Sequence, residues 1–294
     1  MAKYFKQREL KAFATKLLIN ESVTPQNKSV PRISVITPSF NQGDYLEETI
    51  LSVLNQNYPN LEYIIIDGGS TDQSLDIIRK YEKYLTYWIS ETDQGQAHAI
   101  CKGFGQSNGE ILAWLNSDDL YLPNSLNRIA QAYNRYPQCS FYYGHCLLID
   151  KDTLIKRDLY TYEMDYVSYL IDQGNLFQGA CFWKREIYDK YGPINIDLQF
   201  AMEYQLFDLF FMYEKPKFIN EFVAAFRVHE RAKSTLLKEV GISELTAIRG
   251  VPSCDRITPA FFKAKRYWRL CIDGNMPKKL LSSFCRRKFC LGRR

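Results

Sequence analysis

Short apolar runs in this chain end in acidic or amide side chains: Asp67 after Ile64-Ile65-Ile66, Asp93 shortly after Trp88, and Asn116, Asp118 and Asp119 after Ala113-Trp114-Leu115. Carboxylates placed this way have two ordinary uses. One is to hold a hard divalent cation, Mg²⁺ or Mn²⁺, which takes one or two carboxylates and completes its shell with waters and phosphate oxygens. The other is to cap the helix expected from about Pro123, because Asp favours helix N-termini. Residue type and spacing leave both uses open at Asp118 and Asp119. The histidines His98, His145 and His229 are too dispersed for a His-rich centre. The eight cysteines contain no C-x-x-C pair and read as reduced, mostly buried thiols.

The cation reading gains weight from the elements that carry these residues. Residues 33–37 and 63–66 are short β-rich runs, and residues 87–90 and 111–115 give two more strands. Between them lie helical patterns: Leu46, Ile50, Val53 and Leu54; then Leu75, Ile78 and Tyr81; then residues 94–104. This β-α-β-α order predicts an α/β fold with a Rossmann-like, doubly wound, mostly parallel sheet flanked by helices. Such a sheet gathers its strand C-termini along one edge, so the acidic groups should converge on one crevice. After about residue 125 the rhythm loosens, with a helix at 126–136, a strand at 141–149, a Tyr-rich stretch, a strand at 179–183 and a helix at 203–213. The expected division is an N-terminal helical extension and linker over 1–30, one catalytic domain over 31–235, and a C-terminal extension over 236–294.

Several function classes are disfavoured. The chain has neither G-x-G-x-x-G nor G-x-x-x-x-G-K-[ST], which argues against dinucleotide oxidoreductases and P-loop NTPases. No window approaches 18 uninterrupted apolar residues, and Lys3, Lys6, Arg8, Glu9 and Lys11 stand where a signal peptide needs an apolar core, so a cytoplasmic location is expected. Residues 256–294 hold 12 Lys/Arg against the single acid Asp273, a surplus of 11; the whole chain is +5, so the first 255 residues are net acidic at −6. Nucleic-acid binding by the main domain is therefore not expected. Basic residues in the tail interleave with Phe261, Phe262, Tyr267, Trp268, Leu280 and Phe284. That mixture suits a peripheral anchor on an anionic membrane surface at the inner face, or equally a basic helix packed on the acidic domain.

Five segments in order resemble the start of a family 2 glycosyltransferase: Ile-Ser-Val-Ile-Thr-Pro-Ser-Phe-Asn (33–41), Ser-Val-Leu-Asn-Gln-Asn-Tyr-Pro (52–59), Ile-Asp-Gly-Gly-Ser-Thr-Asp (66–72), Ile-Ser-Glu-Thr-Asp-Gln-Gly (89–95) and Trp-Leu-Asn-Ser-Asp-Asp-Leu-Tyr-Leu-Pro (114–123). The resemblance continues more weakly through residues 178–183, Met202-Glu203-Tyr204-Gln205-Leu206 and Arg227-Val228-His229. It implies a GT-A fold and transfer of a sugar, with inversion, from a nucleotide-diphosphate donor, UDP-linked above all, to a hydroxyl of a carbohydrate or lipid-linked acceptor. By the same resemblance Asp67 reads the nucleotide base, Thr37, Pro38 and Phe40 line the base pocket, and Asp93 lies near ribose and diphosphate. Asn116 and Asp118 match the first and last positions of the D-x-D motif, Asp118 and its neighbour Asp119 being the expected ligands of Mn²⁺ or Mg²⁺. Glu203 stands at the general base.

Two departures are visible. Asn116 is neutral where the family often has a carboxylate, and Glu203 and Gln205 replace common aspartate and acidic positions. They keep a rival in view, a nucleotide-sugar binding module with little turnover, with a nucleotidyltransferase a more distant third. His98 and His229 are further candidates for a direct role, and Trp183 with Tyr160, Tyr162, Tyr166 and Tyr169 for stacking against sugar rings, each against an ordinary structural use.

Overall fold

The computed structural model describes residues 7–19, 30–172 and 175–249. The basic tail and its expected membrane contact lie outside the described residues. Four central strands come from apolar, β-branched runs: β1 (Ile33–Ser39), β2 (Leu61–Asp67), β3 (Tyr87–Ser90) and β4 (Ile111–Trp114). β1 and β4 are buried along their whole length, as expected for strands covered on both faces. They pair in parallel in the spatial order β3-β2-β1-β4. Ser39 is opposite Asp67 and Asp67 opposite Ser90, so these strands end on a common edge.

Helices α2 (Leu46–Leu54), α3 (Ser74–Tyr81) and α4 (Gln96–Gln106) provide the crossovers. α4 lies close on β1: a Cβ added at Gly103 would come 2.3 Å from Ile36 Cγ2, so only glycine permits that approach. Ahead of them, α1 (Gln7–Thr15) buries Leu10, Phe13 and Ala14. It is tied down by Asn55, whose Nδ2 donates to the carbonyls of Phe13 and Lys16, both at 2.6 Å. The N-terminal helix expected from sequence is thus packed onto the domain.

The sheet continues through β5 (Leu120–Tyr121), β6 (Phe141–Asp150), β7 (Ile155–Leu159), β8 (Cys181–Lys184) and β9 (Pro216–Val228) in the order β4-β8-β6-β9-β5, with β7 on β6. Here only β6 and β9 are parallel; β8 runs antiparallel to β4 and β6, β5 to β9, and β7 to β6. The parallel character expected of the sheet belongs to its first four strands. Helices α5 (Ser125–Arg135), α6 (Tyr166–Asp172), α7 (Arg185–Tyr191), α8 (Met202–Tyr213), α9 (Lys233–Leu236) and α10 (Lys238–Arg249) complete the described chain.

Trp114, Trp183, Phe104, Phe207 and Phe210 meet in one buried aromatic cluster, with the two indole rings 5.4 Å apart. Trp183 is fully buried there, and Tyr162 and Tyr169 are buried as well, Tyr169 stacking on Phe211. These three aromatics are core residues rather than sugar platforms. Cys101, Cys139, Cys146 and Cys181 are free thiols, three of them buried. None of the described helices is long and apolar enough to cross a membrane.

Candidate functional site

Beyond the C-terminal edge of β1–β4 opens a cavity of about 1040 Å³, walled on its far side by α8, α9 and part of β9. Pro38, Phe40, Gly68, Asp93, Asn116, Asp118, Asp119 and Glu203 all line it. The expected convergence of strand ends therefore occurs, but the side chains do not all face the same way.

Asp67 is fully buried and does not line the cavity. Its Oδ2 accepts from Gly69 N (3.1 Å), Ser70 N (2.8 Å) and Ser90 Oγ (2.7 Å), and its Oδ1 accepts from Ser70 Oγ (2.6 Å). With four donors on it, Asp67 shapes the loop at 68–72. Thr37 likewise points into the core, where its hydroxyl pairs with Tyr63 Oη at 3.1 Å. Pro38 and Phe40 do reach the cavity, Phe40 with 60% exposure at its rim. Asp93 leans over Gly68, where an added Cβ would meet its Oδ2 at 2.9 Å, and its Oδ1 accepts from Gly95 N at 2.8 Å.

Asp118 and Asp119 have opposite fates. Asp119 is buried; its Oδ1 accepts from the backbone N–H of Arg227 (2.9 Å) and its Oδ2 from Asn116 Nδ2 (3.3 Å). Burial, and next the charge of Asp118, push its carboxyl well above the usual carboxylate range. In this setting Asp119 braces the turn. Asp118 faces the cavity, and its Oδ2 lies 3.0 Å from His229 Nε2. Adjacent ligands of an octahedral Mg²⁺, each at about 2.1 Å, stand about 3 Å apart, so this pair fits two neighbouring positions of such an ion. His229 Nδ1 is buried without a hydrogen-bond partner, and the ring packs 4.5 Å from Tyr45. No cluster of three His, Cys, Asp or Glu suited to a metal exists among the described residues, so any cation here would take its other positions from water and from a phosphate-bearing ligand.

Arg227 holds this corner together. Fully buried, it donates from Nε to the Asp118 carbonyl (2.7 Å), from Nη2 to Glu48 Oε2 (2.6 Å) and from Nη1 to Thr153 Oγ1 (2.9 Å). Its guanidinium also lies 4.9 Å from the centre of the Tyr45 ring. The sequence signal was a single cation in the apolar run ending β9.

A polar relay crosses the floor: Lys233 Nζ donates to Gln96 Oε1 (2.7 Å), and Gln96 Nε2 donates to Asn116 Oδ1 (2.7 Å). The neutral Asn116 is required here, since one amide both accepts from Gln96 and donates to Asp119. Neither Gln96 nor Lys233 stood out in the sequence.

Glu203 occupies the first turn of α8 on the opposite wall. Burial raises its carboxyl to about 7 against the pull of its own backbone N–H and the nearby Lys233, with Glu244 adding to the rise. Among the described residues no other group donates to it. The entry to α8 is fixed from α10: Glu244 accepts backbone N–H groups of Gln199 (2.7 Å), Phe200 (2.9 Å) and Ala201 (2.8 Å). Arg249 on α10 also grips Asp208 on α8, with Nε 2.8 Å from Oδ2. The start of the C-terminal extension thus helps to build the site. His98 Nδ1 accepts from Gln94 N at 3.1 Å and does not line the cavity, which makes it a helix-end residue.

Comparison with known proteins agrees with this geometry. The family model described as Glycosyl transferase family 2 matches residues 34–192. An uncharacterized glycosyltransferase of Rickettsia typhi is 29% identical over 286 residues, covering 88% of this chain and 89% of the relative. The putative teichuronic acid biosynthesis glycosyltransferase TuaG of Bacillus subtilis is 34% identical over 139 residues, 45% of this chain and 54% of TuaG. The chain thus spans most of the first relative and about half of the second. Among solved structures, S. aureus TarS 1-349 in complex with UDP-GlcNAc superposes with a TM-score of 0.56 at 17% identity, covering 74% of this chain and 65% of that one. The mannosyltransferase PcManGT from Pyrobaculum calidifontis, in complex with GDP-Man and Mn²⁺, has a TM-score of 0.56 at 19% identity, covering 91% and 79%. At these identities the two structures speak for the fold.

Proposed function

Since the chain belongs to glycosyl transferase family 2 and has the GT-A fold, we propose that it transfers a sugar, with inversion, from a UDP-sugar to the hydroxyl of a carbohydrate or lipid-linked acceptor in polysaccharide or glycolipid synthesis. The observation that carries this reading is Glu203, a carboxyl raised by burial to about 7, facing the same cavity as Asp118, which His229 touches from behind. A base near neutrality combines availability with proton affinity.

The donor nucleotide lies against Pro38, Phe40 and Gly68, where the absence of a side chain lets Asp93 reach the ribose and diphosphate. Asp118 and His229 would hold a Mn²⁺ or Mg²⁺, which when bound neutralises charge growing on the departing diphosphate. Lys233, kept in place by Gln96, adds a positive charge on the same side. Glu203 takes the proton of the acceptor hydroxyl while that oxygen bonds to the anomeric carbon. The bond from that carbon to the diphosphate oxygen breaks on the opposite face, and the nucleoside diphosphate leaves with the electron pair.

The test is to incubate the protein with a panel of UDP-sugars and Mn²⁺ and to follow UDP release with and without candidate acceptors. Acceptor-stimulated release in the wild type that is abolished in Glu203→Gln, with UDP affinity unchanged, is expected. Tight UDP-sugar binding with no release from any donor would instead identify a binding module.

A further inference from the structure

Glu203 stands on a helix whose start is capped from elsewhere in the chain. The first N–H groups of a helix have no partner within it and are ordinarily met by Ser, Thr, Asp or Asn at the N-cap. α8 has Ala201 in that position and no side-chain cap of its own. The acceptor comes instead from α10, 43 residues later. Three successive N–H groups, of Gln199, Phe200 and Ala201, point at one carboxylate: Glu244 Oε1 accepts from the first and Oε2 from the other two, at 2.7–2.9 Å. Such a run of backbone donors is a nest for an anion, and the dipole of α8 adds to the attraction. The fit is shaped on both sides. Gly241, one turn before Glu244, lies against the Phe200 ring, and a Cβ there would come 2.4 Å from Phe200 Cδ1, so a larger residue would push the ring away. Further along, Arg249 grips Asp208, which fixes the direction of α8 as well as its start.

The turn that Glu244 holds is also cavity wall. Leu198, Gln199, Phe200, Met202 and Glu203 all line the cavity, with Ala201 buried between them. A displacement of residues 199–201 therefore moves the Glu203 carboxyl, and about 1 Å of misplacement at a reacting group can cost about 10²-fold in rate. Glu244 acts through its charge as well. The titratable groups facing Glu203 are Lys233 of α9, Glu244 of α10 and the Cys181 thiol at the start of β8, and Lys233 is attracted by both glutamates. Burial opposes ionisation of Glu244, but the N–H groups of Gln199, Ala201 and Phe200, and then Lys233, hold its carboxyl below the ordinary value. It remains an anion over the range in which Glu203, raised to about 7, takes up its proton.

We propose that Glu244 is a positioning residue for the base: the carboxylate from α10, seated in the 199–201 backbone, fixes where α8 begins and so where Glu203 stands in the cavity. The inference rests on the transferase reading for the role of Glu203. It puts a functional residue beyond 34–192, the span that the family model matches.

The test compares Glu244→Gln, Glu244→Asp and, as a control, Glu239→Gln at the exposed start of α10, all in the full chain. Glutamine keeps the length but offers one oxygen in place of two and turns an NH₂ towards backbone N–H groups. Aspartate keeps the charge and withdraws it by one methylene. In UDP release, kcat should fall by about 10–10²-fold in both Glu244 variants with donor KM unchanged. Glu244→Gln removes a negative charge that raises Glu203, so the acidic limb of its kcat profile should move to lower pH, while that of Glu244→Asp stays nearer its wild-type place. Two readouts need no turnover. Amide exchange at residues 199–201 should quicken in both variants, and the Glu203 carboxyl, followed by ¹³C NMR, should titrate at lower pH in Glu244→Gln. Glu239→Gln should match wild type throughout. Wild-type kcat and wild-type exchange at 199–201 in Glu244→Gln would overturn the proposal. So would a lowered melting temperature with kcat, pH limb and Glu203 titration all unmoved, the mark of a merely structural contact. If wild type turns over no donor while exchange and titration respond as expected, the placement of Glu203 by Glu244 stands and the transferase reading falls.

Discussion

Glu203→Gln should separate catalysis from stability in opposite directions. Burial raises the folded-state carboxyl from 4.5 to about 7. At 1.36 kcal/mol per tenfold change in proton affinity, that difference is worth up to about 3 kcal/mol. The sign follows from linkage: the folded state prefers the protonated acid, so the stabilisation is complete below about pH 4.5 and is lost as pH rises through 7. Above pH 7 the native protein therefore carries a buried carboxylate that opposes folding. The side chain retains some contact with cavity water, which brings the effect to about 1–2 kcal/mol. Glutamine keeps the shape and removes the charge. At about 2–4 °C per kcal/mol for a domain of this size, Glu203→Gln should unfold several degrees higher than wild type at pH 8, with most of that gain absent at pH 5. Turnover at pH 8 should fall by about 10²–10⁴-fold. Differential scanning fluorimetry across pH 5–8 beside a UDP-release assay makes the measurement. A stability change that is negative, or equal at both pH values, would refute the buried-carboxylate argument even if activity were lost.

Lys233→Met removes a charge that holds the Glu203 carboxyl down, so the acidic limb of the kcat profile should move to higher pH; an unmoved limb would take Lys233 out of the site's electrostatics. Asp118→Asn and His229→Ala should each abolish the Mn²⁺-dependent part of UDP binding seen on EDTA addition, whereas Asp119→Asn should mainly lower the melting temperature. Arg227→Met leaves Glu48 unpaired beside a loosened turn, and a loss of about 3–5 kcal/mol in denaturant unfolding is expected. Full-length protein should sediment with anionic vesicles at low salt more than a chain ending at Arg249, and equal partitioning would remove the membrane role proposed for the tail.

The parallel half of the sheet was legible because its strands are buried on both faces and must be written in continuous β-branched apolar runs such as Ile64-Ile65-Ile66. β9 was not: Phe218, Asn220, Phe222, Ala224 and Phe226 mix large, small and polar residues, and the small Ala224 faces the cavity where a larger side chain would fill it. The base we propose at Glu203 was visible as a position. Its elevated proton affinity was not, because the enclosure and the charges that set it come from Lys233 and from Glu244, some 30 to 40 residues later in the chain.

The same distinction explains why acidic groups gathered on one sheet edge come to point in different directions. Which strand end a carboxylate occupies is a local matter of hydrophobic period, whereas which way it points is settled by the donors that reach it. Asp67 has Ser70 and Ser90 within reach and turns inward. Asp119 meets the Arg227 N–H, which arrives from a strand more than a hundred residues away. Asp118, one residue earlier, meets only His229 from the same distant strand end, and its carboxylate stays open to the cavity. The pairing of β5 with β9, Leu120 opposite Ala225, therefore decides which of the two adjacent acids can meet a ligand. A substitution that breaks this pairing should impair the site as surely as one that removes Asp118 itself.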